Sequence, residues 1–383
     1  MLKKTLLIPG DFPPITSGIA TYFYEIWKFF DSGKNIILAA KYKGWQKLDK
    51  NASLNIIRHY IPTGDSYVSK FAKSVLYTFW TIVLHLQYDF NLIHCGQVLS
   101  SGFTGWLMKK LFGIPYVIYV YGSETYRFGS NPYLAKAMKI FLQDAKKIIP
   151  NSNFTKDEFI EFGIPKNRFK IVNPGVDIEK FNPTEPNQKL IQKYNLQNKK
   201  VLLTVGRLDI RKGHDRVIQA LSQLKSEYPE IRYLIVGSGE EEQRLKTLVT
   251  EHELEKQVIF CGYISDEVLP DFYNLADIFI LMNRQTSQDI GLKGDYEGFG
   301  IVFLEAAASG LPVIAGNFGG IRDAIANGET GFIIEDDIDK IKESIESLLN
   351  NPKLSQKMGY KARKRVENQY TWKLKSQQIK SIQ

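Results

Sequence analysis

The chain has 383 residues, of which 44% are hydrophobic and 24% are charged, and its formal net charge at pH 7 is +9. This length predicts two domains, and the ordinary composition excludes a disordered or fibrous protein. The two cysteines, Cys95 and Cys261, provide neither a disulfide framework nor a zinc-ligand pattern, so we expect a cytoplasmic protein.

Short apolar runs alternate with helical patterns along nearly the whole chain. This alternation predicts parallel sheets with right-handed crossovers, and continuous apolar runs are typical of strands that helices cover on both faces. The predicted strands are residues 5–9, 35–39, 92–95, 116–120 and 147–150 in the first half, and 200–205, 232–236, 258–261, 278–282, 313–315 and 331–334 in the second. Residues 214–228 and 241–253 are examples of predicted helices.

The first apolar run is too short for a secretion signal and is better interpreted as the first strand. It is followed by Gly10-Asp-Phe-Pro-Pro-Ile-Thr-Ser-Gly18 and then by a helical pattern. A glycine just before a helix lets a ligand approach the backbone, and the free N–H groups of the helix start favour phosphate. The motif is weak evidence by itself, because many β–α turns have a similar composition.

The excess positive charge lies entirely in the first half of the chain. Residues 1–180 contain 23 Lys and Arg against 13 Asp and Glu, whereas residues 181–383 contain 27 against 28. Simple solubility is one interpretation, and an anionic partner such as a membrane surface is the other. We expect no nucleic-acid binding, because the chain has neither an RNA-recognition motif nor a Cys/His finger.

Residues 67–88 have an apolar core, residues 75–86, that is shorter than the roughly 20 residues needed to span a bilayer. We favour a buried helix of the first domain. An amphipathic helix lying on a membrane is the alternative, of which Lys70, Lys73, Trp80 and the flanking tyrosines are typical.

Two turn-rich segments mark the boundary between the halves. Asn173-Pro-Gly-Val-Asp177 has the composition of a turn, and Asn182-Pro-Thr-Glu-Pro-Asn187 is polar and proline-rich. We therefore predict an α/β fold of two doubly wound, Rossmann-like parallel-sheet domains that face a cleft, with residues 1–180 in the first and 181–370 in the second.

Two β–α turns of the second half are glycine-rich. Gly206-Arg207-Leu-Asp-Ile-Arg-Lys212-Gly213 follows a predicted strand. Arginine offers a bidentate fork to phosphate oxygens and lysine a point charge, so we expect an anion site here, with a solvated basic loop as the alternative. Leu234-Ile-Val-Gly237-Ser-Gly239 lacks the third glycine of a dinucleotide fingerprint and is interpreted as a tight turn.

The segment Glu297-Gly-Phe-Gly-Ile-Val-Phe-Leu-Glu305 lies between a predicted strand and a small, apolar run of helical character. This order carries Glu297 to the edge of a parallel sheet where ligands bind and where helix N-termini attract anions. We expect Glu297 to accept hydrogen bonds from ligand hydroxyls, the N–H groups of residues 299–302 to point at phosphate, and Glu305 to suit a ribose diol. The alternative for Glu305 is a structural role as a capping or paired group.

No convincing set of oxygen ligands for Mg²⁺ is evident in the sequence. The only Asp-x-Asp, Asp337-Ile-Asp339, is expected to cap a helix. We therefore expect Arg207, Lys212 and helix ends, rather than a metal or another cofactor, to meet the charge of a diphosphate.

Taken together, these motifs resemble the GT-B glycosyltransferases of the large retaining family 4, over essentially the whole chain. The motifs stand in the family's order: Pro13-Pro14 with Ser17-Gly18-Ile19-Ala20, Asn173-Pro-Gly-Val-Asp177, Gly206-Arg207 with Lys212-Gly213, Gly237-Ser-Gly239, Glu297-x7-Glu305, Gly310-Leu-Pro-Val-Ile-Ala-Gly316, Gly319-Gly320 and Asn327-Gly-Glu-Thr-Gly331.

The resemblance implies a nucleotide-sugar donor held mainly by the second domain and an acceptor held by the first. It implies that Arg207 and Lys212 hold the diphosphate, Glu297 the transferred sugar and Glu305 the ribose. The other implied donor contacts are Gly18, Gly237, Tyr263, Ile264, Phe299, Gly300, Ile301 and Val302, with Tyr263 and Ile264 beside the base. The last helix, roughly residues 371–383, is expected to pack back on the first domain.

One position departs from the family pattern. Members often carry a histidine, near the reacting centre, where this chain has Tyr121 in Tyr-Val-Tyr121-Gly-Ser-Glu124. A tyrosine donates a hydrogen bond but is a poor base near neutral pH. His94, at the end of the preceding predicted strand, is either a partial replacement or a structural residue.

The sequence thus predicts a metal-independent, retaining hexosyltransferase of cell-envelope polysaccharide or glycolipid synthesis. It would move a hexose, with mannose or glucose favoured, from a GDP- or UDP-sugar to a hydroxyl of a lipid-linked or polysaccharide acceptor. A catalytically silent nucleotide-sugar-binding protein on the same fold is the alternative, motivated by Tyr121. The expected location is the cytoplasm, with peripheral attachment to the inner face of the membrane as an extension of it.

Overall fold

The computed structural model describes residues 4–64, 67–285 and 298–382, apart from the side chain of Tyr67. The chain divides into two compact units. The first contains Met1–Pro174 together with Trp372–Gln383, and the second contains Gly175–Thr371. The boundary predicted from the sequence lay between residues 180 and 181.

Within the described part of the first unit, six parallel strands form one sheet in the order β3-β2-β1-β4-β5-β6. The strands are β1 (Thr5–Ile8), β2 (Asn35–Ala40), β3 (Asn55–His59), β4 (Leu92–Cys95), β5 (Tyr116–Val120) and β6 (Lys147–Pro150). The helices are α1 (Gly18–Trp27), α2 (Trp45–Asn51), α3 (Tyr67–Tyr88), α4 (Ser101–Phe112), α5 (Ser123–Phe128), α6 (Pro132–Asp144) and α7 (Asn153–Glu161).

The second unit repeats this design, with six described parallel strands in the order β12-β11-β10-β7-β8-β9. The strands are β7 (Lys200–Val205), β8 (Ile231–Val236), β9 (Val258–Gly262), β10 (Ile278–Leu281), β11 (Val313–Gly316) and β12 (Gly331–Ile334). The helices are α8 (Gln188–Lys193), α9 (His214–Leu224), α10 (Glu242–Glu251), α11 (Leu269–Leu275), α12 (Ile301–Ala308), α13 (Ile321–Ala324), α14 (Ile338–Asn350) and α15 (Pro352–Gln369). The last helix, α16 (Trp372–Lys380), belongs to the first unit.

Both sheets are covered by apolar cores, as continuous apolar strands require. Along β7 and β10, alternate side chains enter different cores: Leu203 and Phe279 pack in one, and Leu202 and Ile280 in the other. Because successive side chains of a strand point to opposite faces, these two cores lie on opposite faces of the sheet. The predicted fold class of two doubly wound parallel sheets is confirmed.

Strand β3 is the element that the sequence prediction missed. Of its five residues, only Arg58 is buried. The guanidinium group of Arg58 donates to Asp49 Oδ2 at 2.8 Å, to the carbonyl of Ala40 at 2.9 Å and to the carbonyl of Pro13 at 2.6 Å. A partly exposed edge strand whose one buried residue is an arginine lacks the apolar run on which the prediction relied.

Helix α3 differs from the favoured prediction of a buried helix. One face is buried through Tyr77, Thr81 and Leu84, whereas Phe71 and Leu86 on the other face are 72% and 78% exposed. Over the described part of the chain, no helix is long and apolar enough to cross a membrane.

Helix α16 packs inside the first unit at the chain's C-terminal end. The Trp372 ring lies edge-on to Tyr22, with 6.2 Å between ring centroids. The ammonium group of Lys146 donates to the carbonyl of Ile382 at 2.8 Å, and that of Lys380 donates to the carbonyl of Phe29 at 2.6 Å. These contacts join the last residues of the chain to β6 and to the end of α1.

Candidate active site

The topology of the second sheet places a crevice at its centre. The chain runs from β7 outward through β8 and β9, and then returns to place β10 on the other side of β7. Loops that leave the carboxyl ends of two such strands diverge, and ligands of open α/β sheets bind between them. Arg207 and Lys212 lie in the loop after β7. Glu297, which stands between β10 and α12 in the sequence, is outside the described residues.

The loop after β7 presents its two predicted cations differently. The Arg207 side chain is 70% exposed, and its Nη2 lies 3.3 Å from Asp209 Oδ2. Lys212 is only 9% exposed, and its Cε would lie 3.8 Å from a Cβ atom at Gly206, so its stem runs along the end of β7. Asp209 also accepts from Arg211 Nε at 2.9 Å, so the intervening arginine is held by this carboxylate.

A buried histidine that the sequence prediction did not single out supports this loop. His214, the first residue of α9, lies with Nε2 3.2 Å from the carbonyl oxygen of Arg207 and Nδ1 3.5 Å from the hydroxyl of Tyr233. That hydroxyl is 2.8 Å from Thr204 Oγ1 in β7. Burial lowers the pKa of His214 to about 4, so the ring is neutral at pH 7 and donates through one nitrogen only.

Glycines allow the loops at this edge of the sheet to pack directly on one another. Gly213 has φ +64°, and a Cβ there would lie 2.0 Å from the carbonyl oxygen of Met282, at the end of β10. Gly237 has φ +137°, and a Cβ there would lie 1.9 Å from the carbonyl oxygen of Gly206. Any side chain at either position would force the loops apart, which explains the glycines of both sequence motifs.

The predicted base contacts lie at the outer strand of the same edge. The N–H group of Gly237 donates to the carbonyl of Gly262 at 2.9 Å, which ties the loop after β8 to the loop after β9. Tyr263 follows at 68% exposure, whereas Ile264 is half-buried against the core. Two strand spacings, roughly 10 Å, separate β9 from β7.

The first turn of α12 stands where the sequence predicted it. Gly300 is the N-terminal cap, with φ +85°, and no side chain caps the helix. Phe299 is 2% exposed, and its ring centroid lies 6.1 Å from that of Tyr370. The N–H groups at the start of an α-helix have no intrahelical partner, so those of Ile301 and Val302 are suited to an anionic ligand.

Glu305, in the middle of α12, is half-buried and hydrogen-bonded. The hydroxyl of Tyr273 in α11 donates to Glu305 Oε2 at 2.7 Å. Burial raises the pKa of the Glu305 carboxyl from 4.5 to about 7, although the Tyr273 hydrogen bond and the nearby charge of Lys180 both act to lower it. The structure therefore gives Glu305 a structural partner, which was the alternative considered from the sequence, and its predicted contact with a ribose stays a prediction.

Arg284 is a further residue at this site that the sequence prediction missed. It lies just after β10, where its backbone N–H donates to the carbonyl of Arg211 at 2.9 Å. Its Nη2 lies 2.8 Å from Oδ2 of Asp215, the second residue of α9, and both side chains are largely buried. This pair joins the beginning of the loop after β10 to the loop and helix after β7.

In the first unit, the loop after β1 occupies the corresponding switch point between β1 and β4. Gly18 is exposed at the first position of α1, and Ser17 caps this helix by accepting from the N–H of Ala20 at 3.1 Å. A Cβ at Gly96, after β4, would lie 2.2 Å from the carbonyl oxygen of Pro9, so the two loops are in direct backbone contact.

Tyr121 follows β5 in the first unit and is half-buried. Its hydroxyl is buried and has no hydrogen-bond partner among the described residues. Its backbone N–H and that of Gly122 both donate to the carboxylate of Glu124, the latter at 2.7 Å. Burial raises the pKa of the Tyr121 phenol well above 10, so the phenol stays protonated at neutral pH.

His94 is a core residue rather than a replacement for the missing family histidine. It is fully buried, its Nδ1 lies 3.0 Å from the hydroxyl of Tyr119, and its ring is edge-on to Trp27 at 5.2 Å. Burial lowers the pKa of His94 to about 3. Of the two interpretations left open by the sequence, the structure supports the structural one.

Among residues 4–64, 67–285 and 298–382, no group of three or more His, Cys, Asp or Glu side chains could hold a metal ion. Asp337 has the capping role predicted for it, since Oδ1 accepts from the N–H groups of Asp339 at 3.0 Å and Lys340 at 3.3 Å. Metal independence itself stays a prediction.

Two family models match the chain one after the other. The model described as Glycosyltransferase Family 4 matches residues 35–180, and the model described as Glycosyl transferases group 1 matches residues 186–365. The fold and these matches define the class of protein as a glycosyltransferase with two Rossmann-like sheets.

Relatives and solved structures align along nearly the whole chain. A GDP-mannose-dependent alpha-(1-6)-phosphatidylinositol monomannoside mannosyltransferase of Mycolicibacterium smegmatis is 27% identical, over 98% of this chain and 97% of the relative. A GDP-mannose-dependent monoacylated alpha-(1-6)-phosphatidylinositol monomannoside mannosyltransferase of Corynebacterium glutamicum is 26% identical, over 99% and 97%. The Anabaena HepE structure in complex with UDP has a TM-score of 0.83 at 19% identity, over 99% and 98%, and shows the shared fold.

The chain belongs to the group 1, family 4 glycosyltransferases. The family and the enzyme class predicted from the sequence, a hexosyltransferase, are confirmed.

Proposed function

We propose that this enzyme transfers a mannosyl residue from GDP-mannose to a hydroxyl group of a lipid-linked acceptor, with retention of configuration at the anomeric carbon and without a metal ion. The observation that carries the proposal is the full-length similarity to GDP-mannose-dependent mannosyltransferases that act on phosphatidylinositol mannosides. Two motifs that would hold the diphosphate support it by position: Arg207 with Lys212 follows β7, and the first turn of α12 follows β10, the strand beside β7.

The donor would be held by cations at its central diphosphate and by carboxylates at the two sugars on either side of it. Arg207, exposed on the loop after β7, and Lys212 would contact the diphosphate, together with the first N–H groups of α12. Glu305 would accept hydrogen bonds from the ribose, and Glu297 from the transferred sugar. Tyr263, exposed at the end of β9, would stack on the base.

The reaction then needs positioning and charge stabilisation more than a protein base. The bond from the anomeric carbon to the phosphate oxygen breaks, and the acceptor oxygen bonds to the same face of that carbon. The acceptor's proton passes to the departing diphosphate oxygen, so every atom is accounted for without a side-chain base. The raised pKa of Tyr121 agrees with this route, because a protonated phenol donates a hydrogen bond and does not abstract a proton at neutral pH.

Ligand-induced thermal stabilisation tests the donor. A ligand that binds only the native state raises the melting temperature with its concentration. We expect GDP and GDP-mannose to stabilise the protein more than UDP-glucose or ADP-glucose, and Arg207→Ala to reduce this shift. Lys357→Ala, which removes one exposed positive charge from α15, is the control for net charge.

Transfer assays test the chemistry. We expect product from GDP-mannose and a phosphatidylinositol mannoside, full activity in excess EDTA, and an α-linkage by NMR. A β-linked product would contradict retention, and loss of activity in EDTA that Mg²⁺ or Mn²⁺ restores would contradict metal independence. If Glu297→Ala and Arg207→Ala both leave turnover unchanged, the assigned site is wrong.

The alternative is a nucleotide-sugar-binding protein without turnover. Tyr121 favours it, because this residue stands where family members often carry a histidine and its hydroxyl has no partner among the described residues. GDP-mannose binding by calorimetry, with no product from a panel of lipid-linked and polysaccharide acceptors, would support it.

A further inference from the structure

Helix α3 presents a continuous apolar face to the outside of the first unit. Its exposed residues recur at intervals of three or four, which places them along one stripe of the helix. Val68, Phe71, Val75, Phe79, Val83 and Leu86 are 80%, 72%, 47%, 55%, 38% and 78% exposed. The stripe is about 27 Å long at about 1.5 Å per residue.

The opposite face of α3 packs on the protein through apolar and polar side chains together: Tyr77 and Leu84, at 0% and 4% exposure, belong to the apolar core. Lys73, Ser74, Thr78 and Thr81 are buried, at 8%, 8%, 7% and 0% exposure. Thr78 Oγ1 lies 3.1 Å from Thr104 Oγ1 of α4, and both Ser74 and Thr78 also donate to carbonyl groups of α3 itself at 2.9 Å.

A surface helix in water turns its apolar residues to the core and its polar residues outward, whereas α3 carries large apolar residues on both faces. Between α3 and α4 the hydroxyl-bearing Thr78 and Thr104 meet, as such residues do between helices that pack in lipid. An uncovered apolar stripe of this size also marks an interaction surface.

The charges around the stripe select the kind of partner. The sequences of α3 and α4 contain no Asp or Glu. Lys73 is buried on the packed face, and Lys109 and Lys110 of α4 share the carboxylate of Asp144 at 2.7 and 3.2 Å, so the end of α4 keeps one net positive charge. The His85 and Phe112 rings lie 5.1 Å apart, so the end of α4, with exposed Leu111 and Phe112, continues the stripe. A second copy of this face would oppose net positive charge to net positive charge, because two lysines share the one carboxylate of Asp144 and a two-fold interface pairs the same patch with itself.

We propose that α3 lies in the headgroup region of an anionic lipid bilayer, with its apolar stripe inserted and Lys109 and Lys110 at the surface. No described helix can cross a membrane, so the contact is parallel to the bilayer plane. The proposal extends the proposed function, because a lipid-linked acceptor is reached from a bilayer surface. It is nevertheless tested without donor or acceptor.

Vesicle sedimentation with the full chain tests the proposal. Wild-type protein should bind vesicles of phosphatidylcholine with phosphatidylglycerol more tightly than vesicles of phosphatidylcholine alone, and salt should weaken the first without abolishing it. In the double variant Phe71→Glu/Phe79→Glu, the partition coefficient should fall at least about tenfold, since two aromatic side chains lose their burial in lipid.

The matched control is Tyr360→Glu/Val268→Glu, which adds the same charge at exposed apolar residues of the second unit. It should bind vesicles nearly as well as the wild type does. Circular dichroism and the GDP-induced melting shift confirm that each variant is folded and keeps its donor site.

Three results would overturn the proposal. The first is that the wild type does not bind vesicles. The second is that both double variants lose vesicle binding to the same extent. The third is that the wild type is a dimer in ultracentrifugation and the Phe71→Glu/Phe79→Glu variant is a monomer. Vesicle binding without any sugar transfer would support the surface and contradict the proposed function. Sugar transfer to a soluble acceptor without vesicle binding would support glycosyl transfer and contradict the membrane surface.

Discussion

The pKa of Glu305 makes a measurable link between pH and stability. A carboxyl group whose pKa is raised on folding stabilises the native state at low pH, and this contribution is lost as pH rises through the folded pKa. For Glu305 the loss begins near the usual value of 4.5 and is complete above about 7. The variant Glu305→Gln keeps the shape and the acceptor for Tyr273, but it cannot ionise. We therefore expect it to become more stable than the wild type as pH rises.

The magnitude follows from the two pKa values. The interval between 4.5 and about 7, at about 1.4 kcal/mol per pH unit, corresponds to roughly 3 kcal/mol in the free energy of unfolding. Partial solvent exposure of the residue reduces this figure, so roughly 3 kcal/mol is its upper end. About 2 kcal/mol of it falls between pH 5.5 and pH 8.5.

Urea unfolding of both proteins from pH 5.5 to 8.5 measures the effect as a difference. His94 and His214, with pKa values lowered to about 3 and about 4, destabilise both proteins alike below about pH 6.5, so they cancel in this difference. Tyr273→Phe is the second test. It removes a hydrogen bond that lowers the pKa of Glu305, so the pH-dependent loss should extend to higher pH.

The reasoning is refuted if wild type and Glu305→Gln show the same pH dependence of the unfolding free energy. It is also refuted if the Gln variant loses stability relative to the wild type as pH rises. A constant offset between the two proteins at all pH values would report only the amide replacement and would likewise contradict a raised pKa.

Three further predictions concern stability and donor binding. Gly213→Ala should lower the unfolding free energy by more than about 2 kcal/mol, because its Cβ would lie 2.0 Å from the Met282 carbonyl oxygen. Gly262→Ala is the control: its φ is +70° but nothing lies within 4 Å of the added Cβ, so it should lower the unfolding free energy by only about 1 kcal/mol. Urea unfolding measures both differences. His214→Leu should cost about 1–3 kcal/mol and weaken GDP binding in calorimetry, since the Arg207 carbonyl loses its buried donor, and equal GDP affinity would contradict this positioning role. Tyr121→Phe should leave the melting temperature unchanged or raised, because the hydroxyl is buried without a described partner, and a large fall would mean that the hydroxyl is satisfied.

The sheets were predictable because both consist largely of strands with continuous apolar runs. β1, β2, β4 and β5 are buried over their full length, and their continuous apolar runs predicted them. β3 was not predicted, because its one buried residue is Arg58, and only the tertiary structure brings Asp49 and Pro13 to this arginine. The helix α3 was recognised, but the sequence did not show which of its faces the rest of the unit covers.

The site was predictable as a set of motifs and not as an arrangement. The glycines after β7 and β8 were recognised as turn residues. The structure shows why glycine is required at each position: a Cβ at Gly213 would collide with the Met282 carbonyl, and a Cβ at Gly237 with the Gly206 carbonyl. The role of His214 was also missed, because its partners come from two different elements: Arg207 from the loop after β7 and Tyr233 from within β8. Contacts of this kind require the topology of the sheet and cannot be derived from local composition.

The charges of the second unit explain how a carboxyl group is tolerated near a proposed diphosphate site. A fully ionised Glu305 would oppose the binding of an anionic donor. With a pKa of about 7, it carries about half a charge at pH 7. Arg207, in contrast, is 70% exposed, while Asp209 lies closer to Arg211, at 2.9 Å against 3.3 Å. Because the acid is partly neutral and Arg207 is not buried in an ion pair, the charges of these residues are compatible with the proposed diphosphate site.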